Sequence, residues 1–314
     1  MTDFQPNLIP KTGDDRPAKG LYSFLWRMSG YKQVVVVGLA LIVAGLTMAP
    51  LELQRRIIDD AIRPGDMDLL LVLGGLYIGT YAVLSVLKLI MRMYQSWLSE
   101  SAVLYGRRHL ASLVCKECDD SDDGGAASIV TSEADDVGSF VGIGLSDPAV
   151  HLGTLVAITG YMLWVEPVIA LVSFGFLIPQ VITAPLIQRK INALVETRVE
   201  LLRNLNRKLI ESDGGPQDDE AFGDLTGTTF NNRMNIFAWK FAGKAILNLL
   251  NALAPISVLI FGGWMVIQGN VEIGVVVAFM TGFQRLADPL RELVSYYRMA
   301  AQTSVKHDQI AAWM

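Results

Sequence analysis

Charge is scarce in this sequence. Asp, Glu, Lys and Arg make up 18% of its 314 residues, against 52% hydrophobic ones, and the mean hydropathy is +0.38. A soluble domain of this size needs more polar surface to cover its core, so a soluble globular fold is excluded. Cysteine is limited to Cys115 and Cys118, which excludes a disulfide framework. The Cys-x-x-Cys pair falls short of the four ligands of a structural zinc site. Only His109 is near it in sequence, and the pair reads as two incidental reduced thiols. His151 and His307 are isolated. No Gly-x-x-x-x-Gly-Lys-Ser/Thr phosphate loop occurs: the one Gly-Lys step, Gly243-Lys244, is followed by Ala245. ATP chemistry through that loop is excluded for these residues, and no catalytic, cofactor-binding or metal-binding residue is assigned. A cleavable signal is not expected either. The opening MTDFQPNLIPKTGDDRPAKG is polar, and the first apolar run starts only near Val34.

Long apolar runs are what the sequence does have. Six stretches, about 34–53, 69–91, 148–165, 167–188, 245–268 and 273–293, stand out. A bilayer crossing needs about 20 such residues. No charge lies between Lys244 and Glu272. The sixth stretch is the weak one, because it opens at Ile273 and soon meets Arg285. Beyond it, Leu286, Leu290, Leu293, Val294 and Tyr297 continue a helical pattern, so this helix is expected to leave the membrane and run on.

Six spans put both ends of the chain on one side. Of the 26 Lys and Arg residues, only Arg55, Arg56 and Arg63 fall on the other side, mixed with Glu52, Asp59, Asp60, Asp66 and Asp68. Both termini are therefore expected in the cytoplasm. Residues 1–19 read as a disordered cytoplasmic tail. Residues 20–32, with Leu21, Phe24, Leu25 and Met28 on one side, read as an interfacial helix. Residues 33–314 read as an all-α membrane domain.

The cytoplasmic connections are long and patterned. Ile187, Ile191, Leu194, Val195, Leu201, Leu202, Leu205 and Leu209 form an apolar stripe between charged flanks. Spans two and four thus extend as helices of roughly 45 residues, or about 65 Å, twice a hydrocarbon core of about 30 Å. Each extension ends in an acidic, Gly-rich corner: CKECDDSDDGG (115–125) and ESDGGPQDDEAFG (211–223). Ile129, Val137, Phe140, Val141 and Leu145 lead back into span three, and Phe230, Met234, Phe237 and Phe241 into span five. Pro50, Pro179, Pro185, Pro255 and Pro289 read as kinks. Polar groups inside spans face a bundle interior. Gln180, Asn248 and Asn251 are accordingly either helix–helix hydrogen bonders or lining of a pathway.

This layout resembles the transmembrane domain of an ATP-binding cassette (ABC) exporter. The last seventy residues carry the most specific likeness. Gly262-Gly263 precedes a short turn at Gly269, followed by Gly274, Ala278-Phe279, Pro289-Leu290 and a helix with Ala300, Ala301 and Ser304. Ser132, Asp136, Phe140 and the segment around Glu211 also match the family's pattern. The resemblance implies coupling helices at the two corners. At the first they would involve Asp119, Asp120, Asp122, Asp123, Gly124 and Gly125; at the second, Pro216, Asp218, Asp219, Glu220 and Phe222. These would dock on nucleotide-binding domains, one corner crossing to the opposite subunit. Both corners are unusually acidic, so the partner surface is expected to be basic.

The family's Leu-Ser-Gly-Gly-Gln signature is absent. The resemblance therefore implies a permease subunit of the plasma (inner) membrane, working as a homodimer or with a paralogue. Its ATPase domain is expected on another chain, which would bind the ATP and magnesium; no nucleic acid partner is expected. A non-transporting scaffold or regulator that keeps the exporter fold is the alternative. An ion-coupled secondary transporter fits less well, since such proteins carry ionisable groups at mid-membrane, and spans one to five have uncharged cores.

Overall fold

The computed structural model describes residues 5–7, 18, 20–117, 133–211 and 220–313. Its elements are helices, and no strand occurs among the described residues. The chain divides into two units, one formed by residues 1–165 with 272–314, the other by residues 166–271.

The first unit opens with α1 (Leu21–Ser29). Leu21, Leu25 and Ser29 recur at four-residue spacing and are buried, while Tyr22 and Trp26 on other faces are exposed. α1 ends at Gly30, whose φ of 53° is easy only for a residue without a Cβ. α2 (Lys32–Leu46) and α3 (Ala49–Arg56) follow, with Pro50 tolerated in the first turn of α3. The helix then loosens into a π-helical turn, Ile57–Ile62. Asp66 accepts the backbone N–H groups of Asp68 and Leu69 at 3.1 and 3.0 Å. It thereby caps α4 (Met67–Glu117), which runs for 51 residues. Next come α5 (Ala134–Ile143) and α6 (Ser146–Val165). The unit closes with α10 (Ile273–Trp313), a helix of 41 residues.

Two apolar clusters hold this unit. Ala40, Val43, Leu84, Met91 and Val150 join α2, α4 and α6. Leu21, Leu25, Val137 and Phe140 join α1 and α5, and Tyr296, Met299, Ala300 and Ile310 of α10 pack against them. α5 lies directly on α4 because two glycines a turn apart face it. A Cβ on Gly142 would sit 2.0 Å from the Gln95 carbonyl oxygen, and one on Gly138 would sit 2.6 Å from Val103 Cγ2. Small residues at this spacing are what lets helix backbones meet. Part of the polar N-terminus is placed as well. Trp97 Nε1 donates to the Gln5 carbonyl at 2.9 Å, Asn7 N–H donates to Ser101 Oγ at 2.9 Å, and Lys32 Nζ donates to Asn7 Oδ1.

The second unit is a helical hairpin. α7 (Pro167–Glu211, 45 residues) carries Pro179 and Pro185. α8 (Glu220–Ser257) carries Pro255 and passes into a π-helical turn, Val258–Gly262, and then α9 (Gly263–Ile267). The π-helical turn lies just beyond the proline, the kind of defect that bends a helix. A Cβ on Gly243 would lie 2.6 Å from Ile187 Cγ2, so α8 presses on α7 there.

Four helical stretches are long and apolar enough to cross a membrane among the described residues: Lys32–Ile62, Met67–Ser112, Ala134–Val165 and Phe222–Ile267. They match the first, second, third and fifth of the expected spans. α7 and α10 are not among them, and α10 meets Arg285 and Asp288 soon after its apolar start. Only 6% of the most apolar window of α4 is buried within the chain. A helix apolar on all sides and uncovered by its own protein is built to face lipid or another helix.

Candidate functional site

Most of the residues singled out in the sequence fall outside the described ones. Asp119, Asp120, Asp122, Asp123, Gly124 and Gly125 lie outside the described residues, as do Pro216, Asp218 and Asp219. Glu220 is the first residue of α8, and Phe222, two positions on, is half-buried. Gln180 lies within α7, and its side chain is outside the described set. Asn248 and Asn251 are exposed, one turn apart on α8.

The structure assembles polar groups elsewhere, at both ends of the first unit. Around the start of α10, Glu52 on α3 accepts from Arg55 Nε at 3.0 Å and Nη2 at 2.8 Å. It also accepts from Arg56 Nε at 2.7 Å and from the Tyr161 hydroxyl of α6 at 3.0 Å. One carboxylate thus ties α3 to α6. Asp59, in the π-helical turn, accepts the Gly274 N–H at 2.7 Å. That N–H is one of the orphan donors of a helix start, so a residue 215 positions away caps α10. The carboxylate also sits where the helix dipole is positive. Gln54 Nε2 donates to Thr281 Oγ1 at 3.1 Å, and Arg63 pairs with Glu272 at 3.9 Å. Beside this lattice lies a cavity of about 370 Å³ lined by Met48, Ala49, Glu52, Gly160, Tyr161 and Trp164. The Glu52 carboxylate is already spent on two guanidinium groups and a phenol and so holds helices together, while Asp59 Oδ2 is buried with no hydrogen-bond partner among the described residues.

The other end holds the second half of α10. The Tyr296 hydroxyl donates to the Gly144 carbonyl and lies 3.0 Å from the Tyr22 hydroxyl. Its ring stacks on Phe140 at 6.0 Å, and His307 meets Phe24 at 5.8 Å. Burial, and then the bond with Tyr22, push the Tyr296 phenol well above its ordinary value. Lys306 pairs with Asp136, and Arg107 with Asp135 at 2.6 Å. Between the two ends, Gln95 Nε2 donates to Ser146 Oγ at 2.6 Å, and Arg92 pairs with Asp147 at 3.2 Å. No group of three or more His, Cys, Asp or Glu residues that could hold a metal occurs among the described residues.

Sequence reasoning missed Glu52, Asp59 and Tyr296 because their partners are more than a hundred positions away. One signal was present in Gly274. A Cβ there would lie 2.4 Å from both the Arg55 carbonyl oxygen and Asp59 Oδ2, so this glycine lets α10 reach its cap. Ala278 and Phe279 are fully buried, and Ala300 packs against the cluster of α1 and α5.

No family model matches the chain. It is similar to the "Putative multidrug export ATP-binding/permease protein YgaD" of Bacillus subtilis (strain 168), with 22% identity over 234 residues. That alignment covers 70% of this chain, and the chain spans 40% of the relative's length. An all-helical chain with helices fit to cross a membrane is thus distantly similar, over most of its own length, to an export ATP-binding/permease protein.

Proposed function

We propose that this chain is the membrane-spanning part of an ATP-driven ABC transporter, working as an exporter in the plasma membrane. Its six spans include the openings of α7 and α10, and both termini are cytoplasmic. Two copies, or one copy and a paralogue, enclose the translocation pathway, with Gln180, Asn248 and Asn251 as candidate lining. The observation that carries this reading is the similarity to an export permease across 70% of the chain. The lengths of α4 and α7, 51 and 45 residues, add to it. At about 1.5 Å per residue both far exceed a bilayer core, so each projects beyond the membrane and carries a corner toward a partner. The corners, Asp119–Gly125 and Pro216–Phe222, dock on nucleotide-binding domains outside these 314 residues. Those domains bind ATP and magnesium, and this chain turns their closure into a rearrangement of the pathway.

The test is affinity purification of the tagged chain from its native membrane, followed by ATPase measurement. Co-purification of an ATPase, with activity lost when Asp218 and Asp219 are both changed to Lys, is the expected result. Recovery of the chain without any ATPase leaves the exporter reading unsupported and favours a scaffold. ATP hydrolysis by the purified chain alone overturns the assignment of catalysis to domains outside it.

A further inference from the structure

Arg285 is set deep along its helix. It lies twelve residues into α10, roughly 18 Å along the helix at 1.5 Å per residue. Its neighbour across the unit is Tyr81 on α4, seven residues before Lys88 and so roughly 10 Å from the first inner charge on that helix. With a hydrocarbon core of about 30 Å, both side chains sit inside it. An arginine at that depth is costly and marks a functional position by default.

Several other arginines of the unit pair with carboxylates. Arg55 bonds Glu52, Arg63 bonds Glu272, Arg92 bonds Asp147 and Arg107 bonds Asp135. Arg285 forms no ion pair among the described residues; Asp288, one turn on, is held by Arg291. Instead, Arg285 Nη2 donates to the Tyr81 hydroxyl, and its guanidinium carbon lies 5.7 Å from the centre of the Tyr81 ring. Tyr77 meets Tyr81 edge-on at 5.1 Å. A phenol leaves the positive charge uncompensated and most of the five guanidinium N–H donors unused. The Arg285 and Tyr81 side chains bridge α10 and α4. Tyr81 remains partly exposed.

We infer that Arg285, Tyr81 and Tyr77 form a recognition site for an amphiphilic anion. The guanidinium takes a carboxylate, sulfonate or phosphate in a bidentate pair, the two tyrosine rings flank the carbons beside it, and the apolar faces of α4 and α10 take the tail. The inference rests on reading these helices as membrane spans, and needs nothing of the ATPase partner.

The test uses the full chain in phosphatidylcholine nanodiscs. The probe is 11-(dansylamino)undecanoate, with its methyl ester as the uncharged control. Binding is read as saturable energy transfer from tryptophan to dansyl, corrected with empty discs. The acid is expected to bind roughly tenfold more tightly than the ester, about what one charge-assisted hydrogen bond supplies. Arg285→Gln removes that preference, Arg285→Lys keeps part of it, and Tyr81→Phe weakens acid binding while sparing the ester. Competition by decanoate marks a soluble amphiphile as occupant, and competition by phosphatidylglycerol in the disc marks a bilayer lipid; each supports the anion site. Equal binding of acid and ester by the unmodified chain overturns it, as does an acid preference retained by Arg285→Gln. Failure to recover an ATPase leaves this binding result untouched, so the two readings fail separately.

Discussion

α10 is held by different chemistry at its two ends. Its first turns combine polar ties, namely the Asp59 cap at 2.7 Å, the Gln54–Thr281 bond and the Arg63–Glu272 pair, with the buried apolar residues Val275, Val276, Ala278 and Phe279. Its second half rests on α1 and α5, with Tyr296, Met299, Ala300 and Ile310 against Leu21, Leu25, Val137 and Phe140, and with the Tyr296–Gly144 bond and the Lys306–Asp136 pair beside them. A polar tie depends on direction and fails when one partner moves, whereas apolar packing tolerates sliding. The first end therefore carries directional ties to α3 and the π-helical turn on top of its packing, while the second depends on its seat against α1 and α5.

Phe140→Ala should have the largest effect. It removes a fully buried ring and costs about 3–5 kcal/mol, read as a lowered melting temperature in detergent. Amide hydrogen exchange should quicken around residues 296–310 and stay unchanged around 273–281. If both regions loosen together, α10 is held as one piece and the contrast between its ends fails. Gly274→Val comes next, at about 1–3 kcal/mol, because the new side chain meets the Arg55 carbonyl and Asp59 at once. Here the exchange pattern should be reversed, with only the first turns of α10 opening.

Asp59→Ala should cost about 1–2 kcal/mol through the lost cap. Asp59→Asn should keep more of it, since an amide oxygen still accepts the Gly274 N–H. Tyr296→Phe should cost about 1 kcal/mol, the worth of one hydrogen bond to a backbone carbonyl. It also carries a pH signature. The Tyr296 phenol titrates above its ordinary value in the folded chain. Its contribution is therefore full below the unfolded phenol value of about 10 and is lost as pH rises through the higher folded value. Tyr296→Phe should remove that alkaline loss, measured as stability against pH above neutrality.

Much of the architecture was legible from residue pattern. The apolar runs opening at Pro167 and Ile273 begin helices α7 and α10. The stripe from Ile187 to Leu209 runs on as one helix with span four, and Leu286 to Tyr297 continues α10 past Pro289. Pattern could reach these because helical periodicity is local and repeats within a few residues. The polar constellation was not legible. Glu52 and Asp59 read as outer-loop charges, yet one clamps Tyr161 and the other caps α10. Arg285 read as the charge that weakens the sixth span, yet it reaches across to Tyr81. Of the coupling corners expected from the family likeness, only Glu220 and Phe222 fall among the described residues.

The sequence by itself determined that this chain is helical and fitted to a membrane. A continuous apolar run of about 20 residues fits a spanning helix, which satisfies its backbone within the run itself, and is too long and too uniformly apolar for a barrel strand. Only the tertiary structure decided which polar side chains meet. Those bonds join residues up to 274 positions apart, and their geometry depends on how glycines such as Gly142 and Gly274 let helices approach. No local pattern encodes that distance, because a side chain's partner is chosen by packing and not by its neighbours in sequence.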